Sequence, residues 1–194
     1  MSQSTQSDIL LPDNDRRSFL KRSGLMLSGT AIALLAGRDV LARDRSAGAA
    51  STSDVDILNS ALGAELEAIA AYQVGAESGL LQKPVLNLAV TFQGHHKQHA
   101  DLLARTISTL GGKPVEARAN YPFPVEKLKN QADVLRFAAG LEQGAVSAYL
   151  GAVPLFSSRE LSKAAASILG DEAMHWAVLR NALDEAPVPV AFVS

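Results

Sequence analysis

Residues 56–81, DILNSALGAELEAIAAYQVGAESGLL, decide how this chain folds. Apolar residues recur there at spacings of three and four, and Ala and Leu dominate, so the stretch predicts a helix over about 54–80. On the face that carries Glu65 lie Leu58, Ala61, Leu62, Ala68, Ile69 and Tyr72, at offsets of three, four and seven. The carboxylate therefore sits in the middle of the apolar stripe. Taking an ionised carboxylate into a core without a partner costs several kcal/mol. Whatever this helix packs against must supply a countercharge.

A second helix is predicted over about 84–110: Pro84 suits its first turn, and the pair Gly111 and Gly112 suits its end. It contains FQGHHKQHADLL, residues 92–103, which holds three of the four histidines in the chain. Residues 111–130 contain three prolines and no sustained period, so they form a connection long enough to cross a bundle. Helical periodicity resumes over 131–153, up to Pro154, and again over 158–185; residues 186–194 read as an extended tail. No alternating strand pattern competes. The expected architecture is an all-α four-helix bundle over 54–185, with one long crossover between helices two and three.

The anomaly of Glu65 repeats on every helix. Glu142 has Leu135, Ala138, Ala139, Ala145, Val146 and Tyr149 on its face, while Glu172 has Ala165, Ile168, Leu169, His175, Trp176 and Leu179. His99 lies among Phe92, His95, His96, Leu102, Leu103 and Thr106. No Lys or Arg is placed to answer three buried carboxylates, so one or two cations are the simplest compensation, with histidines as neutral ligands. The chain has no cysteine, which leaves nitrogen and oxygen as donors and excludes disulfides and iron-sulfur clusters.

An internal repeat sharpens the expectation. Glu65 and Tyr72 are seven apart, as are Glu142 and Tyr149; HxxHxxLL from His96 matches ExxHxxVL from Glu172. The halves are offset by 77 residues for the first pair and 76 for the second. A duplicated hairpin with pseudo-twofold symmetry would bring matched ligands to one dinuclear site. Tyr72 and Tyr149 read as hydrogen-bond donors to the ligands, or as packing residues.

The N-terminal 50 residues read as an address and linker. DRRSFLKRSG precedes the weakly apolar run LMLSGTAIALLAG, in the order of a signal peptide. The run is too short to span a bilayer stably. Arg16 and Arg17, followed by Ser18, Phe19, Leu20 and Lys21, resemble the twin-arginine (Tat) export motif, with cleavage expected after Ala42 or Ala49. That resemblance implies a protein exported folded to the periplasm through the Tat machinery, often because a cofactor is inserted first. The formal net charge of −2, with signs interspersed, argues against a nucleic-acid partner.

Over about 54–185 the chain resembles the ferritin-like superfamily of bacterioferritins, rubrerythrins and manganese catalases, and the exported ferritin-like domain proteins most of all. The family pattern is Glu with Tyr seven later, Glu-x-x-His, a lone Glu, then a second Glu-x-x-His. Glu65, Tyr72, His99, Glu142, Glu172 and His175 match it. His96 stands where the pattern has a glutamate, and His95, at i and i+4 from His99, is the alternative ligand. The resemblance implies two divalent ions, iron or manganese, held by Glu65, His96, His99, Glu142, Glu172 and His175. Tyr72 and Tyr149 would stand behind these ligands. It implies peroxide, oxygen or ferrous iron as substrate. One zinc ion in a non-catalytic stress or binding protein is the alternative that His96 raises, and iron storage in a cage is a third. The remaining expected partner is a second copy, in a homodimer.

Overall fold

The computed structural model describes residues 47–193, with side chains from residue 54 onward. The twin-arginine stretch, Arg16, Arg17 and the cleavage point after Ala42 lie outside these residues. Four helices carry the fold: α1 (Ala47–Glu77), α2 (Lys83–Thr109), α3 (Gln131–Ala152) and α4 (Arg159–Ala182). Short 3-10 turns stand at Val125–Lys127 and Val153–Leu155, and no strand occurs among the described residues. No helix among them is long and apolar enough to cross a membrane.

The expected α1 requires correction at its start. The helix begins at Ala47, inside the stretch read as linker, so cleavage after Ala49 would cut its first turn. AGAASTS has no apolar period to signal a helix, but alanine is the strongest helix former and extends the turn already set by residues downstream. The other bounds lie within three residues of expectation at every end.

Local chemistry fixes the ends of the elements. Pro84 occupies the first turn of α2. At its other end Gly111 adopts φ +80, and the amides of Gly112 and Gly111 donate to the carbonyls of Ile107 and Ser108 at 2.9 and 3.1 Å. This is a Schellman ending, which a left-handed glycine makes easy. Asn130 caps α3 by accepting from the Asp133 amide at 3.0 Å, and Ser158 caps α4 by accepting from Leu161.

The crossover, residues 110–130, is pinned at both ends. Asn59 on α1 donates to the Lys113 carbonyl and accepts from the Val115 amide. Tyr121 stacks on Phe123, whose ring meets the edge of Phe137 on α3. The helices pair as two hairpins, α1 with α2 and α3 with α4, joined across the bundle by α1 against α3 and α2 against α4. The tail beyond Ala186 is irregular and exposed, with Phe192 at 87 % exposure.

The core has two apolar parts. Leu58, Leu62, Leu103, Ile107, Ala165 and Ile168 form one; Ala89, Phe92, Leu135, Ala139, Trp176 and Leu179 form the other. Buried polar residues lie in the layer between, where Glu65, His96, Glu142, Glu172 and His175 are all closed off from solvent. Burial of each apolar part stabilises the bundle by roughly 25 cal/mol per Å² of apolar surface removed from water. That energy holds the charged layer in place.

Candidate metal centre

Each helix delivers its charged residue from the middle of its apolar stripe, so the six candidate ligands converge by helix packing alone. His96 Nδ1 lies 2.8 Å from Glu65 Oε2, and its Nε2 lies 3.3 Å from Glu142 Oε1. The ring thus stands between the two halves of the bundle. His99 Nδ1 lies 3.0 Å from Glu172 Oε1 and 3.6 Å from Glu65 Oε2. His175 Nδ1 lies 3.4 Å from Glu172 Oε2 and 3.5 Å from Glu142 Oε1.

Two overlapping sets of donors result. Glu65, His96, His99 and Glu172 form one, and His96, Glu142, Glu172 and His175 form the other; in each, one ligand atom per residue lies within 4.8 Å of the rest. His96 and Glu172 belong to both. Between the two candidates on α2, the structure places His96 inside and His95 at the edge, with 37 % of the His95 side chain exposed.

The tyrosines cross between halves. Tyr149 on α3 donates to Glu65 Oε1 on α1 at 2.6 Å, and Tyr72 on α1 donates to Glu142 Oε1 on α3. Each glutamate is therefore held by the tyrosine of the other hairpin. Burial raises both phenol pKa values, and so do the charge and hydrogen bond of the accepting glutamate. Both hydroxyls stay protonated donors at neutral pH.

Two residues that were not among the candidate site residues complete the site. Asp171 Oδ2 lies 3.3 Å from Nε2 of His99 and 3.3 Å from Nε2 of His175. A carboxylate behind the ring favours protonation at Nε2 and leaves Nδ1 to face inward as a lone pair. Phe92 stacks on the His175 ring, with centroids 4.0 Å apart, and meets Tyr72 edge-on. The repeat offered a signal for Asp171: it precedes Glu172 as His95 precedes His96, and the two are 76 residues apart. At a partly exposed position it resembled an ordinary surface acid.

Burial lowers the histidine pKa values, but the close carboxylates outweigh it, through hydrogen bonds at His96 and through ion-pair contacts at His99 and His175. Glu142 and Glu65 raise His96 to about 11. Glu172 and Glu65 raise His99 to about 9, and Glu142 and Glu172 raise His175 to about 9. Burial raises the Glu142 pKa, and contacts with His175 and His96 reverse this and hold it well below the usual carboxylate range. Three carboxylates thus face three imidazoles. Protons on the histidines can balance the buried charge that the sequence assigned to cations alone.

Protons do not satisfy every atom. Nδ1 of His99 and of His175, both oxygens of Glu172 and Oε2 of Glu142 are buried without a hydrogen-bond partner. Buried polar atoms are normally paired, and five orphans in one layer call for a shared partner. A divalent cation accepts lone pairs from carboxylate oxygen and imidazole nitrogen alike, so the donor set fits one or two such ions.

Residues 53–185 match the ferritin-like domain family. Among solved structures, a conserved hypothetical protein from Mycobacterium tuberculosis is similar at a TM-score of 0.64, with 23 % identity over 73 % of this chain and 97 % of that one. At that identity the likeness supports the fold alone. No curated protein matches the chain.

Proposed function

The chain belongs to the ferritin-like domain family, and from that premise we propose that it holds two divalent metal ions, iron or manganese, and uses them to consume peroxide or oxygen. The observation that carries this reading is the pair of overlapping donor sets sharing His96 and Glu172. Glu65 and His99 would hold one ion and Glu142 and His175 the other, with the two oxygens of Glu172 available to both; His96, with one lone pair when neutral, would bind only one of them. Iron or manganese held there supplies the redox change that the side chains cannot.

The chain's own residues do the positioning. Tyr149 holds Oε1 of Glu65, whose Oε2 meets His96, and Tyr72 holds Oε1 of Glu142, whose Oε2 is buried without a hydrogen-bond partner. Asp171 orients both terminal histidines. Phe92 and the apolar parts on either side of the layer keep bulk water out. The twin-arginine stretch supports export of the folded, loaded chain to the periplasm, which would protect it from capturing another metal outside. Ferrous iron is an alternative substrate at the same residues.

The test is peroxide and oxygen consumption by iron-loaded and manganese-loaded chain beside a Glu172→Gln variant. Turnover in the wild type that falls at least about tenfold in the variant supports the reading, because Glu172 serves both ions. Equal rates contradict it. One observation favours a second reading, a single zinc ion without redox activity: an imidazole stands where the family pattern has a carboxylate, so the site has one negative charge fewer. Tight binding of one zinc with no turnover would select it.

A further inference from the structure

At the outer edge of the buried layer, between α2 and α4, two residues beyond it meet the far side of a ring that belongs to it. His95 Nδ1 lies 2.9 Å from His175 Nε2 and 3.1 Å from Asp171 Oδ2, and His175 Nε2 lies 3.3 Å from the same oxygen. Three close contacts join these atoms, but two ring nitrogens carry at most two protons. If both protons point at the carboxylate, the nitrogens face each other at 2.9 Å with nothing between them. If one points at the other nitrogen, a contact with Asp171 loses its proton. Hydrogen bonding cannot serve all three.

A cation can. In a tetrahedral zinc site with bonds of about 2.0–2.1 Å, neighbouring donors stand about 3.3 Å apart. The observed edges of 2.9, 3.1 and 3.3 Å are close to one face of that tetrahedron. Two imidazoles and one carboxylate are donors that zinc and its chemical neighbours favour. The fourth vertex opens outward, since the His95 side chain is 37 % exposed and that of Asp171 is 21 % exposed.

We propose that His95 Nδ1, Asp171 Oδ2 and His175 Nε2 form a separate outer site for a zinc-class divalent cation, at which an ion from solvent is held before it reaches the buried layer. The position has a symmetry reason. His95 and Asp171 are equivalent residues of the two halves, and they meet at the pseudo-twofold axis as His96 and Glu172 do one layer deeper. One carboxylate here against three inside makes the outer site the weaker. It also competes with the inner one, because a neutral imidazole has one lone pair: His175 bound through Nε2 carries its proton on Nδ1. The competition rests on the inner-site reading; the outer site itself does not.

The test is zinc-edge anomalous diffraction from crystals of chelator-treated chain soaked in excess zinc, for wild type, His95→Ala and Glu172→Gln. A peak is expected among His95, Asp171 and His175 in the wild type, stronger in Glu172→Gln and lost in His95→Ala, whose half-exposed position makes the substitution safe for folding. Its absence from both wild type and Glu172→Gln overturns the outer site, as does a peak there that survives His95→Ala. Should Glu172→Gln fail to fold, its absence from the wild type alone overturns it. Failure of the inner reading shows separately, as a wild type with no peak against Glu65, Glu142 or Glu172.

Discussion

Tyr149 and Tyr72 reach across the bundle to glutamates of the opposite half, so each is a test of how the carboxylates are held. Tyr149→Phe removes the donor to a buried oxygen of Glu65, which should destabilise the metal-free chain by about 1–3 kcal/mol. It should also weaken metal affinity by about 10–100-fold. Thermal melting and metal titration check both, and unchanged affinity would reduce the tyrosine to packing. His96→Glu should act in opposite directions on the two states. A fourth carboxylate replaces the imidazole that balances Glu65 and Glu142, so the metal-free variant should melt lower, while its melting temperature should rise further than the wild type's on adding manganese. The inward residues were legible because a charge on an apolar stripe has no ordinary reason to be there. The crossed pairing of Tyr and Glu was not, since spacing along a helix says nothing about which helix lies opposite. Asp171 was missed because its partly exposed position gives an acid a bland alternative.

At the level of elements, the loop that ends α2 is constrained by contact as well as conformation. A Cβ on Gly112 would lie 2.6 Å from Val55 Cγ1 and 3.0 Å from Ile107 Cγ2. Gly112→Ala should therefore cost about 1–3 kcal/mol in a denaturant melt, and Val55→Ala in the same chain should recover much of it by opening room. No recovery would mean that the strain lies elsewhere. The order of helices and the crossover were readable from apolar periodicity, prolines and the double glycine. The start of α1 was not, because AGAASTS has no apolar period and the Ser, Thr and Asp cluster at 51–54 reads as a cap, whereas the helix runs on through it to Ala47.

For the whole molecule, the buried layer couples protons to metal. His96, His99 and His175 have pKa values raised in the fold, from an ordinary 6.5 to about 11, 9 and 9. Their contribution to the stability of the metal-free chain is complete below about pH 6.5 and is lost as pH rises through 9 and then 11. Glu142, lowered in the fold, acts in the other sense: its contribution is present above its ordinary value of 4.5 and is lost as pH falls through the folded value. Melting of chelator-treated chain should therefore decline from pH 6.5 toward pH 10, whereas metal-loaded chain should hold, because ions displace those protons. A flat profile without metal would contradict the imidazolium account.

The central claim is that one buried layer holds two ions between its halves. Metal content per chain, by mass spectrometry on protein purified after native export, tests it most directly. The account predicts about two iron or manganese ions per chain in the wild type and fewer than one in Glu172→Gln, because that glutamate belongs to both donor sets. A wild type with no metal, or a content that Glu172→Gln leaves unchanged, would contradict it.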